Sequence, residues 1–318
     1  MDSTVLCVGN IVVDVVLTGV SRLPDEGSLE IFERKEMYLG GCASNTAIAL
    51  SRLGVPVSLR GKVGSDREGG FCAEVLRGNN VVADIIYSSA DETSSSVIIV
   101  PPSGNRMILH ALGANEHFYP KEILWEHLVD KKILFIGGLG ILPLFSGDDL
   151  RALLHAARLL GLTTVADTAT NHAFSQSDWE KTLGLCYPFL DVFFPSEEEA
   201  YAITGQRDPE KICAIFRERG VEVAGVKLGD SGCIVSSSLG TFRIPPHHVN
   251  CADTLGAGDA FMAGYIAALL YGYNHPGQAA RAGNVVGACC VSAVGASAGI
   301  PPFEEVRRAM LNEALQNI

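Results

Sequence analysis

Short apolar runs alternate with longer amphipathic segments along most of the chain. The apolar runs predict buried strands at residues 5–9, 57–61, 82–86, 133–136, 163–167, 191–194 and 223–228. The helical spacing predicts helices near residues 43–53, 67–78, 147–160, 176–183, 196–204, 208–219, 257–271, 277–294 and 303–315. This alternation predicts an α/β fold, in which a parallel sheet carries helices on both faces.

Two segments interrupt the alternation. Residues 29–39 carry charges within a strand-like run, and residues 95–110 contain two apolar runs separated by a turn around Pro102–Asn105. The second segment therefore predicts a hairpin. Because strands of this kind do not suit a buried parallel sheet, we expect them to form a small second sheet over one edge of the main one.

Composition and charge exclude several classes of protein. The 318 residues include 24 Lys and Arg against 36 Asp and Glu, a formal net charge of −12. This balance disfavours binding to nucleic acid or to an anionic membrane, since either usually needs a basic surface. The nine cysteines show no C-x-x-C spacing, which disfavours a disulfide framework or a zinc site. With no secretory signal or membrane span in the pattern, we expect a cytoplasmic protein.

A glycine-rich turn before a long apolar helix is the strongest chemical signal in the sequence. The segment DTLGAGD runs from Asp253 to Asp259 and leads directly into AFMAGYIAALL. Free backbone N–H groups at such a helix start can bind an anion, and Asp259 would lie in the first turn beside it. Asp259 could also serve only to compensate the helix dipole. A carboxylate beside an anion site is, however, what phosphoryl transfer requires.

A second glycine turn, LGGCASN, runs from Leu39 to Asn45 and also precedes an apolar helix. Asn45 would project from the first helical turn. Its amide and the neighbouring backbone could bind substrate hydroxyl groups, or Ser44 and Asn45 could simply cap the helix.

These two segments resemble the two signatures of the ribokinase-like carbohydrate kinases, the PfkB family. The matching stretches are GGCASNTAIALSRLG and DTLGAGDAFMAG, with further likeness at GNIVVD (9–14), KVGSDREGGF (62–71) and GAN (113–115). The resemblance implies a three-layer α/β/α sandwich with a small β-sheet lid. It also implies a single kinase domain over 1–318 with lid insertions at about 11–38 and 91–110. The expected reaction is transfer of the γ-phosphate of ATP to a sugar hydroxyl.

The resemblance also implies roles for individual residues. Asp259 resembles the base that takes the proton from the sugar hydroxyl. The expected anion hole for the γ-phosphate consists of Gly256, Ala257 and Gly258. The expected sugar contacts are Asn10, Asp14, Gly40, Gly41 and Asn45. Asp14 could instead be a strand-end residue satisfied by a backbone N–H.

The expected nucleotide contacts are Ser196, Lys227, Gly229, Gly232 and Asn284. The glycines could equally belong to a tight turn between strands, and Asn284 could be an ordinary polar residue on a helix of small residues. Glu199 matches the family's magnesium ligand, which acts through water. Ser196 stands where the family usually has Asn, and S-x-x-E before a helix is also a capping box.

Relatives in this family are often activated by potassium, so the resemblance suggests a K⁺ site beside the anion hole. Its expected ligands are the Asp253 side chain and the carbonyls of Leu255, Cys290, Ala293 and Gly295. Gly299 stands where a serine hydroxyl would complete the shell.

The sequence leaves the substrate open. No acidic residue occurs in 133–143, where true ribokinases carry a ribose-binding Glu, and this puts ribose in doubt. Arg106 and His110, on the lid hairpin, could face the substrate or solvent. The alternatives are a nucleoside kinase of the same family and a non-catalytic sugar- or nucleotide-binding regulator. The resemblance also allows a homodimer formed through the lid.

Overall fold

The computed structural model describes residues 3–20, 23–101, 106–169 and 174–316. The turn predicted around 102–105 lies outside the described residues. Within these ranges the strands are β1 (Val5–Gly9), β2 (Val12–Thr18), β3 (Arg34–Gly40), β4 (Val57–Gly64), β5 (Val82–Ser88), β6 (Ser95–Val100), β7 (Met107–Ala111), β8 (Ile133–Leu139), β9 (Thr163–Thr168), β10 (Val192–Phe193), β11 (Val223–Lys227), β12 (Cys233–Ser237) and β13 (Gly240–Ile244). The helices are α1 (Cys42–Arg52), α2 (Arg67–Gly78), α3 (Trp125–Leu128), α4 (Gly147–Leu159), α5 (Gln176–Leu183), α6 (Glu197–Thr204), α7 (Pro209–Glu218), α8 (Ala257–Leu270), α9 (Pro276–Val291) and α10 (Phe303–Gln316).

The main sheet has the strand order β13-β12-β11-β10-β9-β8-β1-β4-β5. The strands from β11 to β5 are parallel, whereas β12 and β13 are antiparallel at one edge. Parallel strands bring their carboxyl ends to the same edge of a sheet, and ligands usually bind there. Sequence pattern alone sets no bounds for β12 and β13, because the outer end of β12 is only half-buried and most of β13 is exposed.

Helices cover both faces of this sheet, which confirms the predicted three-layer α/β/α architecture. Alternation along β1 divides the interior: Val5 and Cys7 face one apolar cluster and Leu6 and Val8 face the other. The first cluster includes side chains from α1, α2, α8, α9 and α10, and the second includes side chains from α4 to α7. None of the helices in the described part of the chain is long and apolar enough to cross a membrane.

The small second sheet is also confirmed, with the strand order β3-β2-β6-β7. Its strands β2, β6 and β7 lie in or next to the segments 11–38 and 91–110, and β3 extends to Gly40. We refer to this sheet as the lid. The division of the chain into one domain with two insertions stays a prediction.

Candidate active site

The turn before α8 borders two cavities, and the Ala257 N–H within it donates to the Thr254 carbonyl at 3.4 Å. Gly256 caps the helix with φ +75°, a left-handed conformation that suits glycine, and a Cβ there would lie 2.6 Å from Ala296 Cβ. Gly256 and Asp259 line one cavity, whereas Ala257 and Gly258 line the other. The helix start therefore lies between the two cavities.

Asp259 is held in the first turn of α8 by residues of α1. Asn45 Nδ2 donates to Asp259 Oδ2 at 2.9 Å, and the Thr46 hydroxyl donates to the Asp259 carbonyl at 3.3 Å. Burial raises the pKa of the Asp259 carboxyl to about 6, against the lowering effects of Asn45 and Lys227. At neutral pH this carboxylate is ionised but more basic than an exposed aspartate, as a general base requires.

The glycines of the second turn allow close backbone approach. Gly41 has φ +98°, and a Cβ there would lie 2.4 Å from the Asn10 carbonyl oxygen. A Cβ at Gly40 would lie 2.0 Å from Asp14 Oδ2. The two glycines therefore bring the start of α1 against the ends of β1 and β2.

The first cavity, here called the lid-side cavity, has a volume of about 490 Å³. The lid and the two turns supply its walls. Its lining residues are Asn10, Val12, Asp14, Gly41, Cys42, Asn45, Ser96, Ile108, His110, Leu112, Ile141, Leu255, Gly256 and Asp259. The structure thus brings together six of the residues predicted for sugar binding and catalysis, with Gly40 directly behind Asp14.

Polar groups in the lid-side cavity have unused hydrogen-bonding capacity. Asn10 is only 1% exposed, and its Oδ1 has no partner among the described residues. Asp14 is buried, which raises its pKa to about 6 even though a hydrogen bond from Ser96 lowers it. The Ser96 hydroxyl also lies 3.1 Å from His110 Nδ1. Because unpartnered buried polar groups are unfavourable, these positions suit a ligand rich in hydroxyl groups.

The second cavity, here called the helix-side cavity, has a volume of about 340 Å³. It contains four of the predicted nucleotide residues: Lys227, Gly229, Gly232 and Asn284. The Asn284 amide donates to the carbonyls of Ile244 (3.3 Å) and Pro245 (2.8 Å). Asn284 therefore also fixes the chain after β13, a structural role that the sequence analysis had left open.

Lys227 forms an ion pair that the sequence analysis missed. Its Nζ donates to both carboxylate oxygens of Asp167, at 2.7 and 2.6 Å. Burial alone would lower the pKa of Lys227, but Asp167 and Glu199 hold it above its ordinary value, so the ammonium is charged. A Cβ at Gly258 would lie 3.2 Å from Lys227 Nζ, which places this charge beside the anion hole. The signal that could have revealed this pair is Asp167, an acidic residue near the carboxyl end of the buried parallel strand β9.

Glu199 is buried and has two hydrogen-bond donors. Its Oε2 accepts from the Ser196 N–H at 2.8 Å and from the Thr168 hydroxyl at 2.9 Å. The bond from Ser196 belongs to a capping box, so the structural alternative for this motif is present. The magnesium role of Glu199 is compatible with this arrangement and stays a prediction.

The predicted potassium ligands lie beside the anion hole but make contacts of their own. The Asp253 carboxylate accepts from the N–H groups of Leu255 (2.8 Å) and Gly295 (3.1 Å), and also from Arg106. Cys290 Sγ lies 3.4 Å from the Leu255 carbonyl oxygen and 3.2 Å from that of Ala296. The Ala293 N–H donates to the Cys290 carbonyl at 3.4 Å. A Cβ at Gly299 would lie 2.1 Å from the Cys289 carbonyl oxygen, so the backbone there has no room for a serine.

The two cavities lie on either side of one helix start, with the Asp259 carboxylate on one side and Lys227 on the other. Residues 2–302 match the model of the pfkB family carbohydrate kinases, and the chain belongs to that family. As a member it is a phosphotransferase with an alcohol group as acceptor, as predicted.

Individual relatives agree with this assignment. The chain is 29% identical to the ribokinase of Mus musculus over 97% of this chain and 95% of that protein. It is 26% identical to the 2-dehydro-3-deoxygluconokinase of Bacillus subtilis over 84% and 85% of the two chains. The structure of Arabidopsis thaliana ribokinase complexed with ribose and ATP superposes with a TM-score of 0.84 at 22% identity, covering 98% of this chain and 99% of that one. That likeness supports the fold.

Proposed function

We propose that this protein transfers the γ-phosphoryl group of ATP to a hydroxyl group of an uncharged sugar. The observation that carries the proposal is the position of the 256–259 turn between the two cavities. Asp259 faces the lid-side cavity, where the sugar would bind, and Ala257 and Gly258 face the helix-side cavity, where ATP would bind.

In this mechanism Asp259 accepts the proton of the attacking sugar hydroxyl. Asn45 orients the carboxylate through its 2.9 Å hydrogen bond. The N–H groups of the 256–258 turn stabilise the negative charge on the group in transfer. Asp14 and Asn10 bind other hydroxyl groups, and the lid excludes water that would compete as acceptor.

Lys227 would bind the ATP phosphates from the opposite side of the turn. Its partner Asp167 is 1% exposed at the side chain and holds the ammonium in place. The extended helix-side cavity between Lys227 and Asn284 would accept the nucleoside part of ATP.

The residues near Lys227 also fit a magnesium ion that accompanies ATP. In the described part of the chain no cluster of three or more acidic, His or Cys residues could hold a metal ion alone, so phosphates and water would supply most ligands. Glu199 and Asp167 would orient those waters. The bound ion would neutralise charge on the phosphates during transfer.

The charge in the lid-side cavity bears on the class of sugar. Two carboxylates, Asp14 and Asp259, line it, and no Lys or Arg is among the described residues of its lining. An anionic sugar acid or sugar phosphate would therefore be repelled. The apolar side chains of Val12, Ile108, Leu112 and Ile141 line the same cavity, which favours a nucleoside as the second candidate substrate.

A screen for ADP release with purified protein tests the proposal. Pentoses, hexoses, sugar acids, sugar phosphates and nucleosides would each be offered with ATP and magnesium. We expect turnover with a neutral sugar and none with the anionic compounds. Turnover restricted to a nucleoside would favour the second candidate, and binding without turnover would indicate a regulator.

Two further predictions concern the protein as a whole. We propose that two copies associate through the lid, whose exposed apolar residues include Met37 and Leu109. The solution mass measured by light scattering tests this. A cytoplasmic location stays a prediction, to be tested by fractionation of the source cells.

A further inference from the structure

Asp253 joins three separate parts of the molecule next to the anion hole. Its Oδ1 accepts from the Leu255 N–H, inside the turn that forms the anion hole. Its Oδ2 accepts from the Gly295 N–H, in the loop after α9. The third partner, the Arg106 guanidinium, comes from the lid and is 147 residues away in sequence.

Arg106 continues the face of the lid that covers the lid-side cavity. It precedes β7, in which Ile108 and His110 both line that cavity. Residues two apart along a strand project from the same face. The side chain of Arg106 is 25% exposed and that of Asp253 is 11% exposed, so the ion pair is partly shielded from solvent.

We propose that Arg106 is a positioning residue: by binding Asp253 it fixes the anion-hole turn when the lid covers the substrate, in the place expected for a potassium ion. This inference rests on the proposed kinase function. Closure of the lid and completion of the anion hole would then be one event, because the same side chain takes part in both.

The donors around Asp253 explain why a guanidinium suits this position better than a metal cation. Two backbone N–H groups and the guanidinium already direct positive partial charge at the carboxylate. The Leu255 carbonyl, a predicted potassium ligand, contacts the Cys290 thiol. A metal cation at the same point would be repelled by the charge of the guanidinium already there and would have to displace the thiol from the Leu255 carbonyl.

The anion hole depends directly on these contacts. Ala296, next to Gly295, lies against Gly256, where a Cβ would approach Ala296 Cβ to 2.6 Å. A shift of Asp253 would therefore disturb the turn both through Leu255 and through the loop at 295–296.

The test compares wild type with Arg106→Ala, Arg106→Lys and the matched control Arg34→Ala. Arg34 is also on the lid, but it pairs with Glu36 of its own strand at 3.0 Å and its side chain is 70% exposed. Each protein is assayed for sugar phosphorylation and for ATP hydrolysis, in potassium, choline and guanidinium chloride at equal ionic strength. Hydrogen exchange of the peptides containing Leu255 and Gly295 is measured without substrate, so this readout does not depend on activity.

We expect Arg106→Ala to lower kcat/KM for the sugar by roughly 10- to 100-fold, as loss of one partner of a shielded ion pair does. The share of ATP lost to hydrolysis should rise, guanidinium should restore part of the activity, and exchange at Leu255 and Gly295 should become faster. Arg106→Lys should lie between Arg106→Ala and wild type, and Arg34→Ala should match wild type. Wild type should work equally well in potassium and choline.

Arg106→Ala behaving like Arg34→Ala in activity and in exchange would overturn the inference. Marked potassium activation of wild type would also overturn it, since the cation would then hold Asp253. Absence of sugar phosphorylation in wild type would instead refute the proposed function, and the exchange data would still decide whether Arg106 orders the turn.

Discussion

Replacing Asp259 with Asn separates the catalytic use of this carboxylate from its effect on stability. The amide keeps the shape of the side chain and an oxygen that can accept from Asn45 Nδ2, which lies 2.9 Å from the Asp259 carboxylate in wild type. It removes the group that accepts the substrate proton. We expect kcat to fall by about 10²–10⁴-fold while the Kd for ATP stays nearly unchanged.

The same substitution should stabilise the fold at neutral pH. The pKa of Asp259 is about 6 in the folded protein and 3.8 ordinarily, so between these values the folded state holds a proton that the unfolded chain has lost. The contribution of Asp259 to stability therefore declines as pH rises from about 4 to 6, and above pH 6 its buried charge costs about 3 kcal/mol. Asp259→Asn removes this penalty. Its advantage should be about 3 kcal/mol at pH 7.5 and roughly half of that at pH 5.

Urea denaturation at the two pH values, combined with steady-state kinetics, measures both effects. Asp149→Asn is the matched control, because Asp149 also lies in the first turn of a helix but is exposed. It should keep full activity and lose about 0.3–1 kcal/mol, the usual value of a charge at a helix start. A kcat near wild type in Asp259→Asn would refute its role as base. Equal or lower stability at pH 7.5 would refute the buried, raised-pKa carboxylate.

Three further predictions concern the residues around the turn. Asn45→Ala should raise the KM for sugar. It also removes a hydrogen bond that lowers the pKa of Asp259, so the acidic limb of the pH–rate profile should move to higher pH. An acidic limb at the wild-type pH would contradict this. Asp14→Asn should raise the KM for sugar with little change in the KM for ATP. A selective loss of ATP affinity would contradict the assignment of Asp14 to the sugar site. Lys227→Met should weaken ATP binding and destabilise the fold by about 3–5 kcal/mol, because it leaves the buried Asp167 carboxylate without its partner. Adding Asp167→Asn should restore stability in thermal denaturation but not the affinity for ATP.

The predicted strands and helices agree closely with the structure because the chain alternates regularly and its turns carry glycine. Helix α2, for example, has the predicted bounds, 67–78. The strand predicted at 191–194 is shorter, Val192–Phe193, since Pro195 follows and has no N–H to donate. The fold class therefore followed from local pattern, whereas the bounds of the edge strands β12 and β13 did not.

The candidate site depended on a different kind of information. Asn45 and Asp259 are 214 residues apart, and no periodicity predicts that they meet. The family resemblance placed both in one site. It did not provide the Lys227–Asp167 and Arg106–Asp253 pairs, because these depend on how this chain's own side chains pack.

The central claim is that a phosphoryl group passes across the 256–259 turn from the helix-side cavity to the lid-side cavity. The most direct test supplies ATP with an isotopic label in the γ-phosphate and follows the label by mass spectrometry, with wild type and with Asp259→Asn. We predict that wild type places the label on a hydroxyl of a neutral sugar and that the variant produces almost none of this product. Label found only in inorganic phosphate, or equal labelling of the sugar by both proteins, would contradict the account.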